Sequence, residues 1–159
     1  RLSQQLIRKS EIATSVGAGY DPYARQQTLF LFDGAPRDGH SVVELEQAIK
    51  KQIERIQNDA PSQDELGRVK AQVMASSVYE KDSVFYQAMQ LGTLETVGLG
   101  WQRKDEYLEK INQVTAEQVQ AVAKKYLQDD RLTVAILEPQ EMDMNKRPKH
   151  KSVGGRHDH

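Results

Sequence analysis

The stretch EIATSVGAGYDPYARQQTLFLF, residues 11–32, determines the fold that we predict for this chain. Its first ten residues alternate apolar with small or polar side chains, which is typical of a half-buried strand, and two glycines there indicate a bulge or a close backbone approach. Asp21-Pro22 predicts a turn. The apolar run at residues 28–32 predicts a second short strand, ended by turn residues at 33–39. The two strands are expected to form an antiparallel hairpin.

Helix signals surround this hairpin. Residues 1–8 carry apolar side chains at helical spacing and predict the end of a helix. Three capping boxes, in which a hydroxyl accepts a backbone N–H and the side chain three positions later reaches back, predict helix starts downstream. They begin at Ser41, Ser62 and Thr115. Apolar periodicity predicts two more helices, at residues 83–96 before a pair of glycines and at 104–112, after a break near Asp82-Ser83.

The run RLTVAILEP, residues 131–139, is apolar and β-branched, which predicts a closing strand buried on both faces. Strands grouped apart from helices indicate an α+β fold, with a mixed sheet and helices packed on one of its faces. We expect one domain over residues 1–139 and a mobile polar tail over residues 140–159.

Composition excludes several classes of function. The chain has 159 residues, of which 38% are hydrophobic and 28% charged, so a globular domain is expected. A net charge of −1 offers no field that attracts a nucleic acid, and no apolar run approaches the roughly 20 residues that span a bilayer. Without cysteine there are no disulfides, thiolate zinc sites or cysteine nucleophiles.

Several phrases in this order resemble one protease family. These are Arg1-Leu2 with Gln5-Leu6, Ala13-Thr14-Ser15-Val16-Gly17-Ala18, Leu66 with Val69-Lys70-Ala71-Gln72, the helix pair from Asp105 to Leu127, and Leu132-Thr133-Val134. Together they resemble the C-terminal, non-catalytic domain of pitrilysin/insulinase-type zinc metallopeptidases. These enzymes are inverted zincins and are similar to the mitochondrial processing peptidase. The resemblance extends over residues 1–139.

The resemblance implies a clamshell of two similar α+β halves that close around a peptide. In this family the N-terminal half binds zinc through H-x-x-E-H and a downstream glutamate. This chain contains neither that motif nor H-E-x-x-H, so zinc is expected in the other half and none in this chain. Many family members also place an arginine and, seven positions later, a tyrosine against the substrate. The aligned positions here are Ile7 and Thr14, which cannot supply the charge or the phenol.

The family pattern also includes a strand and a helix before the equivalent of Arg1. We therefore expect a domain truncated at its N-terminus, as a fragment or a processed product, with exposed apolar surface that another chain covers.

The expected function is that of a non-catalytic domain in a bacterial-type zinc metalloendopeptidase, which binds the zinc-bearing half or subunit, closes the substrate chamber and has no activity alone. A homo-oligomer is a further expectation. The alternative is an inactive family member that acts as an assembly scaffold. An independent enzyme would require a pocket of buried ionisable groups. The compartment is not specified, although the bacterial relatives favour the periplasm.

Other candidate sites have simpler interpretations. His40 lies in a turn with Asp38 and Gly39 and is interpreted as a solvated loop histidine, since it has no acidic or histidine partner three or four positions later within a helix. The segment His157-Asp158-His159 could bind a divalent metal adventitiously, and the fourth histidine is His150. The polar run Tyr79-Glu80-Lys81-Asp82-Ser83 is interpreted as a helix break that faces water, with contact to the partner half or to substrate as the alternative.

Overall fold

A computed structural model describes residues 1–138 of the chain. Helices and a small sheet are both present, which confirms the predicted α+β class. The elements in chain order are a π-helical segment (Ser3–Lys9), β1 (Ala13–Gly19), β2 (Leu31–Pro36), α1 (Val42–Asn58), α2 (Gln63–Glu80), α3 (Val84–Thr96), α4 (Arg103–Gln113), α5 (Ala116–Tyr126) and a 3-10 turn (Asp129–Arg131).

Strands β1 and β2 form the predicted antiparallel hairpin, but β2 begins and ends later than expected. It extends through Asp33, Gly34 and Ala35, which the sequence had indicated as turn residues. A Cβ atom on Gly34 would lie 3.0 Å from the carbonyl oxygen of Ser15 and 3.2 Å from Cδ2 of Leu45. The absence of a side chain at Gly34 therefore allows β2 to pass between β1 and helix α1.

The predicted bulge exists, although it does not lie at the glycines. The pairing of β1 with β2 shifts between Ala13 and Ser15, so Thr14 is the extra residue of the bulge. The hydroxyl of Thr14 donates a hydrogen bond of 3.2 Å to the carbonyl oxygen of Ala35. Bulges bend a strand and change the direction of a side chain, and here that side chain is Thr14.

A small core fixes the hairpin against the first two helical segments. Leu6 from the π-helical segment, Ala13 from β1 and Leu45 from α1 are all buried and in one cluster. Leu94, Ala116 and Ala123 are also buried, as is Pro61 before α2.

Glutamine side chains join α1 to α5. The amide of Gln57 donates to the carbonyl oxygen of Leu127 at 2.6 Å, and the amide of Gln120 donates to the carbonyl oxygens of Gln57 and Asn58 at 3.0 and 2.9 Å. These carbonyls belong to helix ends and have no partner within their own helices. The two helix C-termini thereby satisfy each other.

The predicted helix starts are confirmed. Ser41 with Glu44 and Thr115 with Gln118 form complete capping boxes. Ser62 caps α2 through the N–H of Glu65. The Glu65 side chain instead accepts a hydrogen bond of 2.8 Å from Nε of Arg1, which joins α2 to the start of the chain.

The prediction of a closing strand at residues 131–139 is wrong for residues 131–138, which are the part that the structure describes. Arg131 ends the 3-10 turn, and residues 132–138 form no strand. A strand needs a hydrogen-bonding neighbour, and within residues 1–138 the strands β1 and β2 pair with each other alone. Leu137 consequently remains 91% exposed. Pro139 and the predicted mobile tail lie outside the described residues.

Candidate functional site

The two positions aligned with the family's substrate-binding pair lie on adjacent elements but differ in environment. Ile7 is half-buried in the π-helical segment and packs against the cluster of Leu6, Ala13 and Leu45. Thr14 is exposed at the bulge of β1. Ile7 therefore contributes to packing, whereas Thr14 presents one hydroxyl that is already bonded to Ala35. Neither side chain supplies a cation or a phenol.

The described residues do not fit a zinc site. Among the side chains that the structure describes, which are those of residues 1–138 without Asp105, no group of three or more histidine, cysteine, aspartate or glutamate side chains could hold a metal ion. His40 has one acidic neighbour, since its Nδ1 lies 3.7 Å from a carboxylate oxygen of Glu44. Both side chains are substantially exposed, as the interpretation of His40 as a loop histidine predicted. The other three histidines lie outside the described residues.

A cavity of about 490 Å³ lies between α2, α3 and α4. Two hydrogen bonds hold its walls. Nζ of Lys70 on α2 donates to the carbonyl oxygen of Asn112 on α4 at 2.6 Å, and the amide of Gln87 on α3 donates to the carbonyl oxygen of Lys81 at 2.6 Å. The loop between β1 and β2 also borders this cavity, because Tyr23 is among its lining residues.

Three tyrosines converge on this cavity. The rings of Tyr23 and Tyr107 lie 6.4 Å apart between centroids at an angle of 52°, a tilted aromatic pair. The backbone N–H of Tyr23 donates to Oδ1 of Asp21 at 2.9 Å, so the predicted Asp-Pro turn directs this tyrosine. Burial, the neighbouring phenols of Tyr107 and Tyr86, and the carboxylates of Asp21 and Glu80 raise the pKa of Tyr23.

Glu80 connects the polar run to the cavity. It lies at the last position of α2, in the lining of the same cavity as Tyr86. Burial first, and then the neighbouring carboxylate of Glu80, raises the pKa of Tyr86. The run from Tyr79 to Ser83 is a helix break, as predicted, but Glu80 and Lys81 line the cavity.

The sequence analysis missed the tyrosines. Tyr23 lies in the hairpin loop, whereas Tyr86 and Tyr107 belong to α3 and α4, so no motif places them together. The only local signal was the Asp-Pro turn two residues before Tyr23.

Large apolar side chains are exposed where α2 turns into α3. We call Val78, Tyr79, Val84 and Phe85 the α2–α3 patch, and the exposed fraction of each lies between 63% and 81%. Patches of this kind are typical of protein interfaces. Within residues 1–138, every helix is too short or too polar to span a lipid bilayer.

Comparison with known proteins identifies relatives of this architecture. Residues 1–73 match the family model described as the peptidase M16 inactive domain. The crystal structure of a protease from Helicobacter pylori has the same fold over 82% of this chain, with a TM-score of 0.75 and 19% sequence identity. The matched region is 31% of that protease, so the chain spans about a third of its length. A search of curated proteins gave no match.

Proposed function

We propose that this chain, whose residues 1–73 match the family model of the peptidase M16 inactive domain, acts as the non-catalytic half of a zinc metallopeptidase. In this proposal it binds a zinc-bearing half and closes the chamber around a peptide substrate. The observation that carries the proposal is the match of residues 1–73 to a family model that is described as an inactive domain.

The environment of the two aligned positions supports a structural role in place of a catalytic one. Ile7 packs into the core cluster, and the hydroxyl of Thr14 is bonded to the backbone of β2. The described residues offer no zinc site. The contribution of this domain to catalysis would then be confinement and orientation of the peptide, which lower the entropic part of the barrier.

The exposed apolar surface supports a partner half. Few apolar residues of the described chain are buried, while Phe85 on the α2–α3 patch is 79% exposed. Covering such side chains removes apolar area from water and gives roughly 25 cal/mol for each Å². The matched region is 31% of the Helicobacter pylori protease, so that protein is larger than the part that this chain resembles.

Reconstitution of peptidase activity tests the proposal. The chain would be assayed with a pool of fluorogenic peptides, first alone and then with the zinc-bearing segment or subunit that accompanies it in the cell. We expect no cleavage by the chain alone and chelator-sensitive cleavage on mixing. Cleavage by the isolated chain would contradict the proposal. Stable association without cleavage would favour the scaffold alternative.

A matched pair of variants locates the interface. Phe85→Glu places a charge on the α2–α3 patch, and Val43→Glu places one at an exposed position in the first turn of α1. Both side chains are exposed, so neither variant should unfold the chain. We expect Phe85→Glu to weaken association with the zinc-bearing half at least tenfold and Val43→Glu to leave it within about twofold. If both variants weakened the association equally, the α2–α3 patch would not be part of the interface.

A further inference from the structure

A second cavity, of about 390 Å³, lies between the π-helical segment and α1. We call it the basic groove, because three of its lining residues are Lys9, Lys51 and Arg55. Lys51 and Arg55 are four positions apart on α1 and therefore lie on one face of that helix. Lys9 is the last residue of the π-helical segment. Two separate elements thus bring three cationic side chains to one groove.

The positive charge of the basic groove is not neutralised by the side chains that the structure describes. Their ion pairs do not include any of the three cations, and no carboxylate is among the lining residues of the groove. Glu11 and Glu54 are close in sequence, but neither lines the groove, and the carboxylate of Glu11 is held by Arg37 at 2.7 Å. The whole chain has a net charge of −1, so this positive charge is local. A groove of this kind favours an anionic ligand.

The floor of the basic groove is apolar and carries two amides. Leu6 is buried there, and Ile12 and Ala48 are half-buried. Gln5 and Gln52 also line the groove, and Oε1 of Gln52 is buried without a hydrogen-bond partner in the described chain. Such an oxygen costs free energy until the amide turns towards an N–H donor. The groove therefore suits a ligand that combines negative charge with apolar groups and N–H donors.

An acidic peptide segment has all three properties. Its carboxylates can pair with lysine and form two parallel hydrogen bonds with arginine, its apolar side chains can cover the floor, and its backbone supplies N–H groups. A phosphate ion supplies the charge but neither apolar groups nor an N–H donor. We propose that the basic groove binds an acidic peptide segment of a partner, with its carboxylates held by Lys9, Lys51 and Arg55. This inference does not rest on the proposed function, because the chain alone carries every group that it requires.

Titration of the 159-residue chain with three probes tests the inference. The probes are acetyl-Leu-Glu-Leu-Glu-amide, the glutamine peptide of the same shape without charge, and inorganic phosphate. Backbone NMR shifts report the location and the dissociation constant. We expect the acidic peptide to shift residues of the π-helical segment and α1 and to bind at least about tenfold more tightly than either other probe. Its affinity should fall when salt is raised from about 20 mM to about 300 mM, because salt screens exposed charges.

Matched variants assign the contacts. Arg55→Gln should weaken binding of the acidic peptide about fivefold, whereas Arg68→Gln should leave it within about twofold. Arg68 is a fair control because it is an exposed arginine on α2 that lies outside the groove lining. The double variant with Lys51→Glu and Arg55→Glu should instead prefer acetyl-Leu-Lys-Leu-Lys-amide, since its groove charge is reversed.

Four results would overturn the inference. They are equal affinity for the acidic and glutamine peptides, equal affinity for phosphate, shifts located away from the groove, and no saturation up to about 10 mM peptide. An unchanged preference for the acidic peptide in the double variant would also contradict it. The side chains changed in these variants are exposed, so each variant should keep the circular dichroism spectrum of the parent chain.

Discussion

Replacing Glu11 by glycine should stabilise this protein. Glu11 follows Ser10, the C-cap of the π-helical segment, and has a φ of 53°. It is the only residue other than glycine with a positive φ among those described. A Cβ atom in this left-handed conformation costs about 1 kcal/mol, which is why glycine is common directly after a helix.

The ion pair that the Glu11 side chain forms offsets only a small part of this cost. Its carboxylate accepts from Nη1 of Arg37 at 2.7 Å, but the two side chains are 63% and 50% exposed. An ion pair this exposed contributes about 0.5 kcal/mol or less. Glu11→Gly should therefore raise the free energy of unfolding by about 0.5 kcal/mol over the parent chain and by about 1 kcal/mol over Glu11→Ala, which lacks both the ion pair and the glycine.

The measurement is urea unfolding followed by far-UV circular dichroism, with thermal unfolding as a second readout. A difference of about 1 kcal/mol corresponds to roughly 3 °C in Tm for a chain of this size. Gly67 provides the control, because it lies within α2 with open space around its Cα atom. There alanine should be the more stable residue by about 1 kcal/mol. If Glu11→Ala proves as stable as Glu11→Gly while Gly67 behaves as expected, the backbone argument is refuted.

Three further predictions concern the elements that position the hairpin. Ile7→Arg should lower the free energy of unfolding by about 2 kcal/mol because it places a charge against the core cluster. Thr14→Tyr, at an exposed position, should change the free energy of unfolding by less than about 0.5 kcal/mol. Urea unfolding of both variants measures the difference. Gly34→Ala should cost about 1 kcal/mol because the added Cβ would lie 3.0 Å from the carbonyl oxygen of Ser15, so β1 or α1 would have to shift slightly, and a normal Tm would contradict the close approach. The hydrogen bond from Arg1 lowers the pKa of Glu65, so the stability that this pair contributes is present at neutral pH and is lost as pH falls below about 5 and through the folded-state pKa. The parent chain should therefore exceed Glu65→Gln in stability at pH 7 and approach it in acid, and a constant difference across pH would contradict this assignment.

Local chemistry made much of the fold predictable. The capping boxes at Ser41 and Thr115 are complete, because their hydrogen bonds join residues only three positions apart and need no tertiary contact. The Asp21-Pro22 turn, the break after α2 and the glycines after α3 were predictable for the same reason. The family resemblance was also present in the order of short phrases, and the family model confirms it for residues 1–73.

Strands whose formation depends on contact with another element were not predictable from the sequence. Residues 33–35 have the composition of a turn, yet they form β2 because Gly34 fits between β1 and α1. The apolar segment after Arg131 has the composition of a strand, yet its described residues form none, since a strand requires a partner edge as well as a suitable sequence.

The sequence by itself determined the helix boundaries, the hairpin, the α+β class and the absence of the zinc motif, because these depend on residues close together in the chain or on the presence of a motif. Only the tertiary structure brought Tyr23 from the hairpin loop to Tyr86, Tyr107 and Glu80. It also packed Ile7 against the core cluster while Thr14 stayed exposed. The physical reason is that a cavity and a core are made by side chains from separate elements, whose meeting depends on how those elements pack.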